Sequence, residues 1–229
     1  MASSFRTTGR KIVAIGRNFA DHAKELNNAV PTEPFFFLKP TSSYIGDGDT
    51  VEVPKGVDCH YEVELGVVIG KDGRDIRAAD AEDHIGGYAL AIDMTARNMQ
   101  DKAKRKGLPW SAAKGFDTFN PVSSFIEKSK VADAQNVRLW LKVNDQTRQD
   151  GNTEDMIFPI PQLIEHVSSI MTLQAGDLLL TGTPKGVGSV QAGQTMHAGL
   201  ESGSKILAEL KLNVKDREGL FEFNKFKQA

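Results

Sequence analysis

Short apolar segments of strand length, separated by turn signals, are the feature that most constrains how this 229-residue chain folds. Segments 11–16, 61–70 and 87–94 are apolar or β-branched, and 46–49 reads Gly-Asp-Gly-Asp, a strong turn signal. Helical patterns are few and do not alternate regularly with these strands. The order of elements therefore predicts an α+β fold, a mixed β-sandwich or roll with few helices, rather than a doubly wound parallel sheet.

No internal repeat, low-complexity tract or linker divides the sequence, which predicts one domain over residues 11–229. Residues 1–10 are expected to be a short lead-in or the remnant of a mitochondrial transit peptide. The first twenty residues are basic, rich in Ser and Thr, and free of acidic residues, and this composition fits both interpretations. No apolar run approaches the roughly 18 residues that a membrane-spanning helix needs, so no membrane partner is predicted.

The bulk charge of the chain gives no reason to expect a nucleic-acid partner. The formal net charge is −2, and the basic residues at 102–106 have the position of a solvated helix end, where positive charge complements the helix dipole. The chain has a single cysteine, Cys59, so it forms no internal disulfide and assembles no cysteine-based zinc site.

Glu62 and Glu64 lie two residues apart in an apolar segment, so on a strand their side chains share one face. Two carboxylates beside a core strand repel each other and are costly to desolvate, and a divalent cation would remove that conflict. A solvent-exposed face is the alternative. Asp93 follows a second apolar segment, 87–92, which favours the metal interpretation. An all-oxygen set of three carboxylates suits Mg²⁺, Mn²⁺ or Ca²⁺ better than Zn²⁺ and leaves coordination positions open for a substrate.

Two further pairs have the i, i+3 spacing of neighbours on a helix, His22 with Glu25 and Arg97 with Gln100. A carboxylate beside an imidazole favours a general base, and a guanidinium with an amide would suit a substrate carboxylate. Lys114 follows a Leu-Pro-Trp loop and could balance a developing oxyanion or enolate. Taken singly, each of these groups is more typical of a polar surface.

The segment around residue 20 predicts a helix with Asn18 as its N-cap. The loop 182–188, Gly-Thr-Pro-Lys-Gly-Val-Gly, resembles an anion-binding backbone nest, with an ordinary turn as the alternative. It lacks the Gly-Lys-Ser/Thr ending of a P-loop. The segment 16–18 lacks the glycine pattern of a dinucleotide site, so no nucleotide cofactor is predicted.

Seven segments, in order along the chain, resemble the fumarylacetoacetate hydrolase superfamily, and in particular its small single-domain members that act on acylpyruvates and oxaloacetate. They cover residues from about 11 to about 200 and read IGRNFADHAKEL, PFFFLKPTSSY, HYEVELGVVIG, GGYALAIDMTARNMQ, KGLPWSAAKGFDTFNPVS, LWLKVN and LTGTPKGVG. The one departure noted is Tyr61, where some members of the superfamily carry histidine.

The resemblance implies a role for each candidate residue. The implied metal ligands, for Mg²⁺ or else Mn²⁺, are Glu62, Glu64 and Asp93. The implied catalytic set, with the first two on a lid-like N-terminal helix, is His22, Glu25 and Lys114. The implied substrate-binding set is Arg17, Arg97, Gln100 and Thr183.

The resemblance also implies a mixed β-sandwich roll, a homodimer, a small 2-oxo acid substrate, and a mitochondrial location, with a cytoplasmic one as the alternative. The implied reaction is C–C bond cleavage of acylpyruvates and oxaloacetate through a metal-stabilised enolate. Keto–enol tautomerisation of oxaloacetate on the same site is the alternative. A non-catalytic protein that binds a metal or metabolite is a third interpretation.

Overall fold

Many short strands and a few short helices make up the chain in the computed structural model, which describes residues 2–25 and 30–225, without the side chains of 22–24. The α-helices are α1 (Phe5–Thr8), α2 (Ala20–Glu25), α3 (Arg97–Lys106), α4 (Ser111–Lys114) and α5 (Ile160–Ile170). The strands are β1 (Ile12–Gly16), β2 (Phe35–Lys39), β3 (Tyr44–Ile45), β4 (Thr50–Val53), β5 (Cys59–Tyr61), β6 (Val63–Ile69), β7 (Ile85–Ile92), β8 (Thr95–Ala96), β9 (Asn120–Pro121), β10 (Ile126–Glu127), β11 (Arg138–Val143), β12 (Gln146–Asn152), β13 (Leu178–Leu180), β14 (Gly188–Ser189), β15 (Thr195–Ser202) and β16 (Lys205–Asp216).

Two sheets form the framework. One has the strand order β10-β7-β6-β13-β1-β2 and the other the order β12-β11-β15-β16-β4, and two small sheets, β14-β5-β8 and β3-β9, complete the arrangement. Most neighbours are antiparallel, whereas β1 with β13, β4 with β16 and β3 with β9 are parallel. This mixed, strand-rich arrangement confirms the predicted α+β sandwich class, because long helical crossovers between parallel strands are rare in it.

The central strands of the six-stranded sheet are buried on both faces. On one face Leu65 of β6 packs in the main core with Leu141 of β11 and Leu200 of β15. On the other face Val68 of β6 joins a second apolar cluster with Leu178 and Phe5. Burial on both faces explains why this part of the sequence is continuously apolar instead of alternating with polar residues.

Two local predictions need correction. The predicted strand 61–70 is interrupted at Glu62, which lies between β5 and β6. Asn18 is not a helix N-cap: it is buried, its Nδ2 donates to the carbonyls of Phe158 at 3.0 Å and Thr181 at 2.9 Å, and its Oδ1 accepts from the Phe158 N–H at 2.8 Å. A buried amide must satisfy its hydrogen bonds, and here Asn18 does so by joining three chain segments.

The first residues of the chain pack onto the domain. Phe5 of α1 is 1% exposed, belongs to the second apolar cluster, and meets the ring of Tyr44 edge to face at 6.1 Å between centroids. Residues 2–8 therefore contribute to the core, whatever their origin. No helix within the described residues is long and apolar enough to cross a membrane.

The burial of Phe5 predicts a large cost for its removal. Phe5→Ala should lower the free energy of unfolding by about 3–5 kcal/mol, because it leaves a cavity in the second apolar cluster. Urea denaturation followed by tryptophan fluorescence measures the change. Leu220→Ala is the control, since Leu220 is 91% exposed. Equal stabilities of the two variants would contradict a core role for residues 2–8.

Candidate active site

A small cavity of about 30 Å³ lies where the ends of several elements of the six-stranded sheet meet helices α3 and α4. Its lining is unusually rich in charged side chains and includes most of the residues singled out in the sequence. The lining residues are Ile15, Gly16, Arg17, Phe37, Glu62, Glu64, Arg97, Gln100, Lys104, Trp110, Lys114 and Thr183.

Glu62, Glu64 and Asp93 come together through the register of β6 and β7. These strands are antiparallel, with Val63 opposite Ile92, and the Asp93 N–H donates to the Glu62 carbonyl at 2.8 Å. One carboxylate oxygen from each of the three acids lies within 4.8 Å of the others. All three side chains are buried, and Glu64 and Asp93 are only 1% exposed.

The buried carboxylates are in electrostatic conflict. Burial raises the pKa of Glu64 well above its usual range, and the charges of Asp93 and Glu62 add to that shift. The one opposing hydrogen bond comes from the Gly182 N–H, which donates to Glu64 Oε2 at 2.7 Å. Three converging oxygen donors with this mutual repulsion fit a hard divalent cation, which would remove the conflict.

Lys114 lies between two of the acids. Helix α4 directs its ammonium group to Glu62 Oε2 at 3.0 Å and to Asp93 Oδ2 at 2.5 Å, and the ring of Phe37 lies 4.7 Å away. Burial alone would lower the pKa of Lys114, but the carboxylates of Asp93 and Glu62 outweigh it, so its pKa is raised. The residue therefore stays cationic beside the acids.

Lys39 is a site residue that the sequence analysis missed. It ends the apolar strand β2, its side chain is fully buried, and its Nζ lies 2.5 Å from Asp93 Oδ1 and 3.2 Å from the Met94 carbonyl. Burial lowers its pKa, although Asp93 opposes that shift. The sequence does contain a sign of it, because Lys39 directly follows the apolar run Phe-Phe-Phe-Leu. A lysine at the end of a buried strand is itself buried only when a charged partner lies beside it.

Arg97 and Gln100 are neighbours on α3, as their spacing predicts. Arg97 Nη1 donates to Gln100 Oε1 at 2.7 Å, Nη2 donates to Glu62 Oε1, and Nε faces His60 Nδ1 at 3.4 Å. Both side chains are buried at the cavity. The guanidinium thus holds Glu62 in place and presents a planar cationic surface to the cavity.

Gln149 is a second residue that the sequence analysis missed. It is completely buried, its Oε1 accepts from the Val63 N–H at 2.9 Å, and its Nε2 donates to Thr183 Oγ1 at 2.8 Å and to the Pro184 carbonyl at 2.9 Å. Thr183 Oγ1 in turn donates to the Val63 carbonyl at 2.8 Å. Gln149 therefore joins the start of β6 to the loop after β13. No local pattern marks it, because β12 reads as a polar strand.

The same loop packs very closely against Asn18. Gly182 has a φ of 98°, and a Cβ there would lie 2.7 Å from the Asn18 Cβ. Only glycine combines that left-handed backbone with this close approach. The nest-like loop of the sequence analysis is thus held by contacts to the domain on both sides of Thr183.

Helix α2 lies against the other end of this loop. Glu25 is exposed, and its carboxylate accepts from the Gly186 N–H at 3.1 and 3.2 Å, while Asp21 pairs with Lys185 at 3.1 Å. Glu25 does not line the described cavity. The side chain of His22 lies outside the described residues, so the His22–Glu25 pair stays a prediction.

Arg17 follows β1 and lines the cavity, with its backbone in the left-handed region at a φ of 55°. Its guanidinium lies 5.4 Å from the ring centroid of Phe35. The geometry thus brings eight of the predicted residues to one place, whereas Glu25 lies against Gly186 and outside the cavity lining. The eight are Arg17, Glu62, Glu64, Asp93, Arg97, Gln100, Lys114 and Thr183.

Comparisons with known proteins find relatives over nearly the whole chain. Residues 11–219 match the fumarylacetoacetate (FAA) hydrolase C-terminal family. A Dictyostelium discoideum protein named mitochondrial oxaloacetate decarboxylase is 58% identical over 200 residues, 86% of this chain and 92% of that protein. An Arabidopsis thaliana protein named mitochondrial oxaloacetate tautomerase FAHD1 is 56% identical over 208 residues, 90% of this chain and 93% of that protein.

A solved structure extends the comparison to a metal complex. It is the crystal structure of fumarylpyruvate hydrolase from Pseudomonas aeruginosa in complex with Mn²⁺ and pyruvate. It superposes with a TM-score of 0.83 at 34% sequence identity and covers 91% of this chain and 90% of that chain. The fold of that protein is therefore shared over nearly the whole chain.

The conflict among the acids predicts opposite effects for one substitution. Glu64→Gln should raise the free energy of unfolding of the metal-free protein, because it removes a buried charge that Glu62 and Asp93 repel. The same change should weaken Mn²⁺ binding by at least about tenfold. Loss of a residue that only hydrogen-bonds a metal ligand already lowers metal affinity by about that factor, and Glu64 is a proposed ligand itself. Urea denaturation and titration calorimetry measure the two effects. Glu33→Gln, at an exposed position, is the control; unchanged Mn²⁺ affinity in Glu64→Gln would contradict the metal assignment.

The buried hydrogen bonds of Gln149 predict a role in stability. Gln149→Leu should lower the free energy of unfolding by at least about 2 kcal/mol, because the Val63 N–H loses its acceptor inside the protein. Gln146→Leu makes the same change at an exposed position of the same strand and should have little effect. Thermal unfolding of both variants checks this. A Gln149→Leu protein as stable as Gln146→Leu would rule out this structural role.

Proposed function

The chain belongs to the fumarylacetoacetate hydrolase family, and from that premise we propose that it is a divalent-metal-dependent enzyme that interconverts the keto and enol forms of oxaloacetate. One observation carries this proposal: three buried carboxylates and three buried cationic side chains form one cluster beside the cavity, and four of the six line it. Such a constellation suits a small, strongly anionic, chelating substrate. Oxaloacetate has that chemistry, and the Dictyostelium and Arabidopsis relatives carry it in their names.

Glu62, Glu64 and Asp93 would hold the metal, with Mg²⁺ or Mn²⁺ as the ion that fits their oxygen-only set best. The Mn²⁺ of the Pseudomonas hydrolase structure supports a divalent ion in this family. When bound, the ion supplies a Lewis acid that stabilises negative charge on the 2-oxo oxygen of the substrate.

The cationic side chains of the chain bind and orient the substrate. Arg97 has N–H groups at the cavity beside Gln100, and the pair would bind the substrate carboxylate next to the 2-oxo group. Lys114 would remain protonated and balance the charge of the enolate. The Thr183 hydroxyl donates its proton to the Val63 carbonyl. Thr183 would therefore contact the substrate as a hydrogen-bond acceptor or through its backbone N–H.

Tautomerisation requires the movement of one proton. A base removes a proton from C3, the electron pair forms the C2–C3 double bond, and a proton returns to the 2-oxo oxygen to give the enol. We assign that base to His22, oriented by Glu25 on α2. The Gly186 N–H donates to both carboxylate oxygens of Glu25 and would hold that carboxylate in place while it orients the imidazole.

Cleavage of a C–C bond is the second candidate function, and the buried lysines favour it. In oxaloacetate the C3–C4 bond would break, CO₂ would leave, and the electrons would remain as the enolate of pyruvate, which is then protonated at C3. Lys39 and Lys114 on either side of Asp93 would support that enolate electrostatically. The name of the Dictyostelium relative supports this reaction, and the hydrolysis of acylpyruvates would use the same enolate.

Two properties of the whole protein belong to the same proposal. We assign the protein to mitochondria, because the Dictyostelium and Arabidopsis relatives are named mitochondrial. We also assign it a homodimeric state. Cell fractionation and sedimentation velocity would test these two assignments separately.

The proposed reaction predicts the outcome of a two-signal assay. With Mg²⁺ and oxaloacetate, the enol absorbance should approach equilibrium much faster than pyruvate accumulates. Lys114→Met should slow the tautomerisation about 100-fold or more, the usual cost of losing an oxyanion-stabilising group. Lys205→Met, at an exposed position, is the control. Pyruvate appearing as fast as the enol signal decays would instead assign C–C cleavage as the main reaction.

A further inference from the structure

We infer that Lys104 and Arg17 form a second anion subsite at the same cavity, which binds the remote carboxylate of a dicarboxylic 2-oxo acid. The inference rests on the proposed function and specifies its substrate class. It makes Lys104 a specificity-determining residue that favours oxaloacetate over those acylpyruvates whose remote acyl group is uncharged.

The position of Lys104 on α3 follows from helical periodicity. Arg97, Gln100 and Lys104 are spaced i, i+3 and i+7, so one face of α3 carries all three, and all three line the cavity. With a rise of 1.5 Å per residue, the backbone of Lys104 lies about 10 Å along the helix from that of Arg97. A flexible lysine side chain spans part of that distance, so its ammonium group can reach a second charge on the substrate held by Arg97.

The surroundings of Lys104 leave its ammonium group available to a ligand. Its Nζ lies 5.3 Å from the ring centroid of Trp110 and forms an ion pair with the partly exposed Asp101 at 3.6 Å, which is longer than a hydrogen bond and leaves its N–H groups free to donate to a ligand. The side chain is only 28% exposed. Burial lowers its pKa, and the positive charges of Arg97 and Arg17 lower it further against the opposing charge of Asp101. A nearby anion would relieve this crowding of like charges.

Arg17 presents the second positive charge of the subsite. Its guanidinium is half-buried against the Phe35 ring, and within residues 2–25 and 30–225 no carboxylate pairs with it. Its left-handed backbone, with a φ of 55°, is an unfavourable conformation for arginine. An unpaired cation at a cavity wall, backed by an aromatic ring, is a suitable partner for a carboxylate.

The distribution of charge around the cavity points to a dianion. Three cations contact the triad directly: Lys39 and Lys114 reach Asp93, and Arg97 reaches Glu62. Lys104 and Arg17 contact none of the triad carboxylates. The positive charge of Lys104 and Arg17 is therefore not taken up by the triad, and in the proposed complex it would meet the far end of a four-carbon acid.

Two ligands of equal carbon number isolate the remote carboxylate. Malate and 2-hydroxybutyrate offer the same 2-hydroxy carboxylate end, but malate ends in a carboxylate and 2-hydroxybutyrate in a methyl group. Titration calorimetry of the Mg²⁺-loaded protein should give a Kd for malate at least about tenfold lower than that for 2-hydroxybutyrate, as expected for one charge-assisted interaction.

Lys104→Gln should raise the malate Kd at least about tenfold and leave the 2-hydroxybutyrate Kd within about twofold. Lys106→Gln, an exposed lysine of the same helix, is the control and should change neither. Circular dichroism and a Mg²⁺ titration of each variant separate a lost subsite from a damaged fold or metal site.

The outcomes distinguish this inference from the function on which it rests. If the wild-type protein binds both ligands equally well, or if Lys104→Gln weakens both to the same degree, the second subsite is refuted while the site for 2-oxo acids stands. If neither ligand nor oxalate binds the Mg²⁺-loaded protein, the proposed function fails and the subsite fails with it.

Discussion

The desolvation of three carboxylates at the end of the six-stranded sheet is the constraint on which the rest of the site depends. Glu62, Glu64 and Asp93 are buried where water cannot screen them, so each requires a compensating group. Lys39 and Lys114 supply part of that compensation from separate elements. Only a cation at the centre of the triad would satisfy all three acids at once, which is why the arrangement suits a metal better than a structural ion-pair network.

The loop after β13 connects the acidic triad of Glu62, Glu64 and Asp93 to the N-terminal helix α2. Its first residue, Gly182, donates to Glu64, and Gly186 donates to Glu25 four residues later. Between them Thr183 is held by Gln149 from the second sheet. A shift of this loop would move a triad acid and the proposed proton-transfer helix together. In the proposed mechanism the loop would therefore couple the substrate contact, the metal ligands and the base.

The sequence predicted the acids because Glu64 and Asp93 stand against apolar surroundings, where a charge is conspicuous. It did not reveal Lys39 or Gln149, whose partners are 54 and 34 residues away in sequence. Pairing at such distances follows from strand order and register, which local patterns do not encode. Asn18 was misread for the same reason: its partners lie beyond residue 150, while its neighbours in sequence resemble a helix start.

Anomalous diffraction from crystals grown with Mn²⁺ and oxalate tests the central claim most directly. The account predicts one Mn²⁺ ion bound by Glu62, Glu64 and Asp93, with the remaining coordination positions filled by oxalate oxygens and water. It also predicts that the ammonium groups of Lys39 and Lys114 remain beside the acids as charge partners. A Mn²⁺ ion bound elsewhere, or a triad that holds no ion while the lysines pair with all three acids, would contradict the account.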